Sequence, residues 1–211
     1  TETSPIISGL VDEVGLLGTE REKSAGQAVP GCDIVIRGDD GQPLPAGQAG
    51  EVTVRGANVM DGYWNKPEQT EAALRDGWYW SGDVGRLDDE GYLFLLDRSK
   101  DMIISGGENI YCTEVEDALY THPAVLEATV FGIPSEQWGE AVHAVVVLRA
   151  DADDDVDEAG LITHCRSQIA GYKAPRSVAF SVEPLPKSGP GKVLKRELRA
   201  PHWADQEGAI G

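Results

Sequence analysis

The stretch 96–111, LDRSKDMIISGGENIY, most constrains what this chain can fold into. It opens with a charged turn, Asp97-Arg98-Ser99-Lys100-Asp101, and continues into an apolar strand, Met102-Ile103-Ile104. It ends on Gly106-Gly107, where no Cβ keeps a partner from the backbone. A charged turn between two structured blocks suits a hinge, and small residues after a strand suit the wall of a narrow channel. The same residues alone also fit a β-hairpin with a polar tip.

The two sides of this stretch differ in texture. Residues 1–95 are punctuated by Gly and Pro, at Val29-Pro30-Gly31, Asp39-Asp40-Gly41, Pro43-Leu44-Pro45 and Gly47. Short alternating runs lie between, at 32–37 and 51–55, and read as half-buried strands. Asp40-Gly41 is a hairpin-type turn. Residues 79–81 and 91–96 read as further strands, and a helix starts at Pro67 and runs to 74. The pattern predicts a small barrel or sandwich. Residues 98–200 instead alternate helix and strand. Thr113 and Glu116 fit a capping box, 125–133 and 141–148 read as central strands, and 178–182 as a third. A helix over 157–170 places Leu161, Ile162, Cys165 and Ile169 on one face. The acids of 151–158 fit a solvated loop running into that helix's N-terminus. The expected class is α+β, with a boundary in the Asp97–Asp101 turn dividing 1–97 from 98–211.

Charge excludes some functions. The 36 acidic and 18 basic residues leave a formal net charge of −18. That disfavours broad binding to nucleic acid or to anionic membranes, while local basic residues still permit anionic ligands. Cys32, Cys112 and Cys165 lack metal spacing and read as reduced thiols of a cytoplasmic protein. The histidines at 122, 143, 164 and 202 form no ligand motif, and no apolar run reaches membrane-spanning length. The first residue is Thr, not Met, so the chain is expected to begin inside a longer polypeptide.

Four separated motifs now line up with 96–111. Thr1-Glu2 opens the chain. Gly50-Glu51-Val52 runs on to Gly62-Tyr63-Trp64, Pro67 and Thr70. Trp80-Ser81-Gly82-Asp83 follows, and Ser188-Gly189-Pro190-Gly191-Lys192-Val193-Leu194-Lys195-Arg196 closes the series. Each is weak alone. Together, in this order over about nine-tenths of the chain, they resemble the adenylate-forming enzymes. These are acyl- and aryl-CoA ligases, luciferases and the adenylation domains of peptide synthetases.

The resemblance implies that 1–97 ends a large AMP-binding domain in a β-barrel-like subdomain, and that 98–211 forms a small α+β lid. It implies ATP, Mg²⁺ and CoA as co-substrates of a ligase that adenylates a carboxylic acid and passes the acyl group to a thiol. It places the family's phosphate loop and most of the acyl pocket upstream, so these residues alone are expected to be inactive. Asp83 would hold the ribose hydroxyls with its two carboxylate oxygens. Arg98 would add donors to ribose or phosphate, and Thr1 would donate to a phosphate. Glu2 would offer a hard oxygen to Mg²⁺. Lys192 would meet the charge that develops during adenylation. Lys100 matches the family's hinge, about which the lid turns between an adenylating and a thioester-forming pose.

The MIISGGENI run resembles CoA ligases rather than the Lys-Ile-Arg-Gly strand of peptide-synthetase domains. Ser105, Gly106 and Gly107 would line the pantetheine channel. Trp138, Tyr172 and Arg176 would meet the CoA nucleotide, although Ala174 stands where relatives carry a basic residue. Trp138 fits a core or rim aromatic equally well. A ligase loading a pantetheinyl carrier protein, or a non-catalytic lid or binding module, remains the alternative.

Overall fold

The computed structural model describes residues 1–204 except Pro5, Asp12, Asp154 and Pro190, and only the backbone of Glu13 and Val14. Pro190 of the Lys192 motif, Asp154 of the acidic run and residues 205–211 therefore lie outside the described residues. The chain divides into two compact units, Thr1–Lys100 and Asp101–Gly211.

The first unit begins with β1 (Ser8–Gly9), a short helix α1 (Glu13–Leu16) and β2 (Gln27–Ala28), β1 pairing antiparallel with β2. Then come β3 (Cys32–Arg37), β4 (Gly50–Gly56), α2 (Pro67–Ala73), β5 (Leu74–Arg75), β6 (Trp78–Leu87) and β7 (Leu93–Arg98). Their sheet runs β3-β4-β6-β5, with β7 also on β6, all antiparallel. Alternation explains its two faces. Cys32 and Ile36 join Val52, Val54 and Leu93 in a core, with Ile34 packed against it. On the opposite face Trp78 is held between Arg37 and Arg55, at 4.9 and 4.6 Å from its ring. The α+β class holds, but the described strands form an open sheet rather than a closed barrel, because no ladder returns from β5 or β7 to β3. α2 takes Pro67 as its first residue, where a missing N–H costs nothing.

The second unit contains β8 (Ile103–Ser105), β9 (Glu108–Ile110), α3 (Cys112–Tyr120), β10 (Val125–Ser135), β11 (Gly139–Leu148), α4 (Glu158–Gln168), β12 (Ser177–Phe180) and α5 (Lys195–Trp203). The sheet order is β10-β11-β8-β9, with β12 parallel to β11. The central stretches of β10 and β11 are mostly apolar because both faces are covered. Ala128, Val130, Val142, Ala144 and Val146 join Val115 and Leu119 of α3 and Leu161 and Cys165 of α4. Phe131, Val145 and Val147 form a second cluster with Leu185, against which Leu198 of α5 packs. α4 carries the predicted face, and Asp157 caps it by accepting from Gly160 N at 2.7 Å. Among the described residues no helix is long and apolar enough to cross a membrane. The three cysteines are buried and form no disulfide.

Two details differ from the sequence reading. The capping box does not form: Tyr111 is the N-cap, without a side-chain cap bond, and Thr113 already lies inside the helix. Glu116 turns instead to β10, where it accepts from Val130 N at 2.8 Å. A buried backbone amide takes precedence over a solvated cap. The helix α5, with Pro201 inside it, has no counterpart in the sequence reading. Tertiary contacts hold it, including Trp203 Nε1 donating to Gly132 O at 3.1 Å.

His143 lies under this helix, 6% exposed, with its Nδ1 2.7 Å from Ser177 Oγ and its ring 5.0 Å from that of His202. Burial, aided by the charge of His202, pulls His143 down to about 4 from its ordinary 6.5. The unfolded chain therefore takes up a proton first, and stability contributed above 6.5 is lost as pH falls towards 4. We expect His143→Gln, which does not titrate, to lose on the order of 2–3 kcal/mol less than the parent over that window. Urea unfolding of both chains at several pH values checks this. Parallel pH profiles would assign the acid sensitivity to other groups.

Candidate functional site

In the first unit, Asp83 of β6 stands opposite Arg98 of β7 in the ladder. Arg98 Nε lies 3.1 Å from Asp83 Oδ1, with both side chains partly exposed. The approach to Asp83 is fixed by backbone. Gly82 adopts φ +71°, which strains any L side chain. Its N–H donates to Glu51 Oε1 at 3.0 Å, and its carbonyl accepts from Ser99 N at 2.9 Å. Ser81 Oγ donates to Val52 O at 2.7 Å and accepts from Asp83 N at 3.1 Å. A carboxylate with one guanidinium neighbour and open solvent beside it can accept from further hydroxyl donors.

Glu2 lies beside two phenols. Tyr63 Oη donates to its Oε1 at 3.3 Å, and Met60 N donates to its carbonyl at 2.8 Å. Its own backbone amide, more than any other group, holds the Glu2 carboxyl below the usual range. Burial pushes Tyr79 up to about 12, with the charges of Glu2 and Asp83 adding to the effect. Tyr79 therefore stays a neutral phenol that feels both carboxylates. Thr1 is exposed. Glu2 supplies a single carboxylate, which fits a Mg²⁺ held mainly by phosphates and water. Lys100 is exposed in the turn after β7.

The second unit holds two arrays. In the first, Ser105 ends β8 opposite Gly139. Gly106 and Gly107 follow with φ +61° and +85°. Gly106 N donates to Trp138 O at 2.8 Å, and a Cβ there would lie 3.0 Å from Trp138 Cε3. The turn thus lies flat against the indole. Arg176 covers that ring at 5.5 Å, and Trp138 is 39% exposed, so it is a rim residue and not core. Tyr172 is also exposed, with Lys173 Nζ 5.8 Å from its ring. Lys173 is engaged by Glu114 at 2.7 Å. No hydrogen bond or ring contact among the described residues joins Tyr172 to Trp138.

The second array is the Lys192 turn. Ser188 N donates to Lys192 O, and Gly191 N to Ser188 O, both at 2.8 Å. Lys192 is exposed. No hydrogen bond or ion pair among the described residues joins it to Ser105, Gly106, Gly107, Trp138 or Arg176. Sequence reasoning missed Glu51, Tyr63 and Tyr79 as supports of Asp83 and Glu2. Glu51 and Tyr63 were read for motif spacing and Tyr79 for strand character, while their roles depend on which distant side chains the fold brings together. A shallow, open depression of about 410 Å³, lined by Leu16, Arg21, Arg86, Asp88 and Phe94 among others, includes none of the predicted residues.

Two family models match this chain: "AMP-binding enzyme" over residues 1–64 and "AMP-binding enzyme C-terminal domain" over residues 114–192. A feruloyl-CoA synthase of an Amycolatopsis species is 49% identical over 180 residues, covering 84% of this chain and 36% of its own. A long-chain-fatty-acid–CoA ligase of Yersinia pestis is 43% identical over 211 residues, covering 100% of this chain and 35% of its own. The o-succinylbenzoate CoA synthetase of Bacillus subtilis, solved with its acyl-adenylate intermediate, superposes with TM-score 0.84 at 39% identity. That match covers 94% of this chain and 39% of the synthetase. The chain thus spans little more than a third of the length of the proteins it matches.

Proposed function

Because this chain belongs to the AMP-binding, adenylate-forming enzyme family, we propose that it carries the closing part of the large domain and the lid of an ATP-dependent acid–CoA ligase. The observation that carries the reading is the presence in one unit of two separate arrays, an exposed lysine turn and a Gly-Gly turn laid against Trp138 and Arg176. One suits a reaction that builds negative charge, the other a nucleotide-bearing thiol.

In the first half-reaction a carboxylate oxygen attacks the α-phosphorus of ATP, and the bond to pyrophosphate breaks. Asp83 accepts from the ribose hydroxyls, with Arg98 fixing its orientation and adding donors. Thr1 donates to a phosphate oxygen. Mg²⁺, when bound, neutralises phosphate charge, and Glu2 is the residue that would hold it. Lys192 meets the charge on the carboxylate and α-phosphate oxygens. In the second half-reaction the CoA sulfur attacks the acyl carbon and AMP leaves with the bonding pair. Ser105, Gly106 and Gly107 line the pantetheine path, Trp138 stacks on the adenine, and Arg176 and Tyr172 meet the nucleotide. Lys100 is the hinge that lets one lid serve both steps.

The test concerns the acceptor. We expect Trp138→Ala and Arg176→Ala in the whole protein to raise the CoA concentration needed for half-maximal thioester formation about tenfold, and the ATP requirement much less. Steady-state titration of each substrate checks it. An unchanged CoA requirement in both variants would withdraw the nucleotide role, and transfer to a pantetheinylated carrier protein but not to CoA would favour a carrier-loading ligase.

A further inference from the structure

Lys192 is exposed on a short turn, yet the two ends of that turn are tied down by charged residues from the body of the unit. Lys187, on the entering side, lies 2.5 Å from Glu127 Oε1, and Glu127 Oε2 accepts from Leu185 N at 2.9 Å. Lys187 first, and the Leu185 amide second, hold the Glu127 carboxyl below the usual range. Lys195, on the leaving side, lies 2.9 Å from Glu116 Oε1, with the two side chains 19% and 17% exposed. The same Glu116 oxygen accepts from Val130 N at 2.8 Å and Thr129 Oγ1 at 3.2 Å. Between the struts the stem is zipped by a bridge from Lys187 to Val193 and by Leu194 N donating to Pro186 O at 2.8 Å. Leu185 and Val193 anchor its apolar side against Phe131, Val145 and Val147.

We infer that Glu116 and Glu127 are positioning residues for Lys192, fixing the stem so that its ammonium is presented with little freedom left to lose. The inference rests on the reading of Lys192 as the adenylating lysine. An ammonium on a four-carbon stem and a Gly-rich turn has wide reach, and a misplacement of about 1 Å costs about a hundredfold in rate. Both struts act on backbone within five residues of Lys192, and neither strut includes Lys192 itself. Two charged supports therefore set its place without consuming its charge. Each glutamate also accepts from a backbone amide, which fixes its own rotamer.

The experiment measures both half-reactions in the whole protein carrying Glu116→Gln, Glu127→Gln, and the two together. Glutamine keeps an oxygen for the Val130 and Leu185 amides and removes the ion pair. We expect the double variant to lower pyrophosphate exchange about tenfold in kcat, with KM for ATP and acid little changed. Thioester formation from supplied acyl-adenylate should stay within about twofold. Lys187→Arg, which keeps a cation against Glu127 Oε1 and leaves Glu127 to accept from Leu185 N, should retain most of the exchange rate. An equal loss in both half-reactions, or no loss in either, overturns the inference. If Glu116→Gln fails to fold by circular dichroism, Glu127→Gln and Lys187→Met decide it, since that strut is the more exposed at its lysine. A selective loss in Lys192→Ala without one in the glutamate variants defeats this inference alone. No selective loss in Lys192→Ala defeats the functional reading beneath it.

Discussion

Lys192→Ala in the whole protein is expected to slow acyl-adenylate formation by on the order of a hundredfold or more, while leaving thioester formation from supplied acyl-adenylate near the parent rate. On the proposed role of Lys192, the size follows from removing one charge that would meet oxygens gaining charge in the transition state. The selectivity follows from the separation of two arrays. Lys192 shares no hydrogen bond or ion pair, among the described residues, with the turn of Ser105, Gly106 and Gly107 or with Trp138 and Arg176. A group that acts in one step has no reason to slow the other. Folding is not at risk, because Lys192 is exposed and the turn is closed by its backbone. Acid-dependent pyrophosphate exchange and thioester formation from synthetic acyl-adenylate, measured on one preparation, decide the matter. A comparable loss in both steps would make Lys192 a general structural residue.

Lys100→Pro should separate the same half-reactions by restricting backbone instead of removing charge. Lys100 closes the first compact unit, and Asp101 opens the second. Proline fixes φ near −65° and pushes the residue before it out of the helical region. That residue is Ser99, whose N–H is already committed to Gly82 O at 2.9 Å. If the lid turns about Lys100, the chain settles in the pose that tolerates this φ. We expect the adenylating pose, so pyrophosphate exchange survives and transfer to CoA falls by on the order of a hundredfold. Lys100→Ala removes charge but leaves both dihedrals free, and should be far milder. A folded proline variant that transfers supplied acyl-adenylate to CoA at the parent rate would contradict the hinge.

What could be read in the sequence follows from which forces are local. The alternation of CDIVIR marked β3 as a half-buried strand, because such a strand writes its burial at period two. Leu161 and Cys165 were placed on the buried face of α4 for the matching reason at helical period. The capping box was misread because Glu116 has two competing partners, and the buried amide of Val130, far along the chain, outweighs a local cap. α5 was missed because its sequence is polar and contains Pro201. Its support comes from Glu116, Glu140 and Gly132. The pairing of Asp83 with Arg98 depends on an irregularity between Val84 and Gly85, which shifts the register by a residue. A motif can name both residues but does not say that one faces the other. Trp138, open between core and rim in the sequence, lies at the rim because the Gly106 turn and Arg176 cover only part of its ring.

The most direct measurement is a product balance for the whole protein supplied with ATP, Mg²⁺, CoA and a panel of carboxylic acids. Nucleotides, pyrophosphate and thioesters are quantified together. The account predicts that at least one acid gives AMP, pyrophosphate and acyl-CoA in equal amounts, with no AMP formed when acid is omitted. Release of ADP and phosphate, or AMP formation indifferent to both acid and CoA, would contradict it.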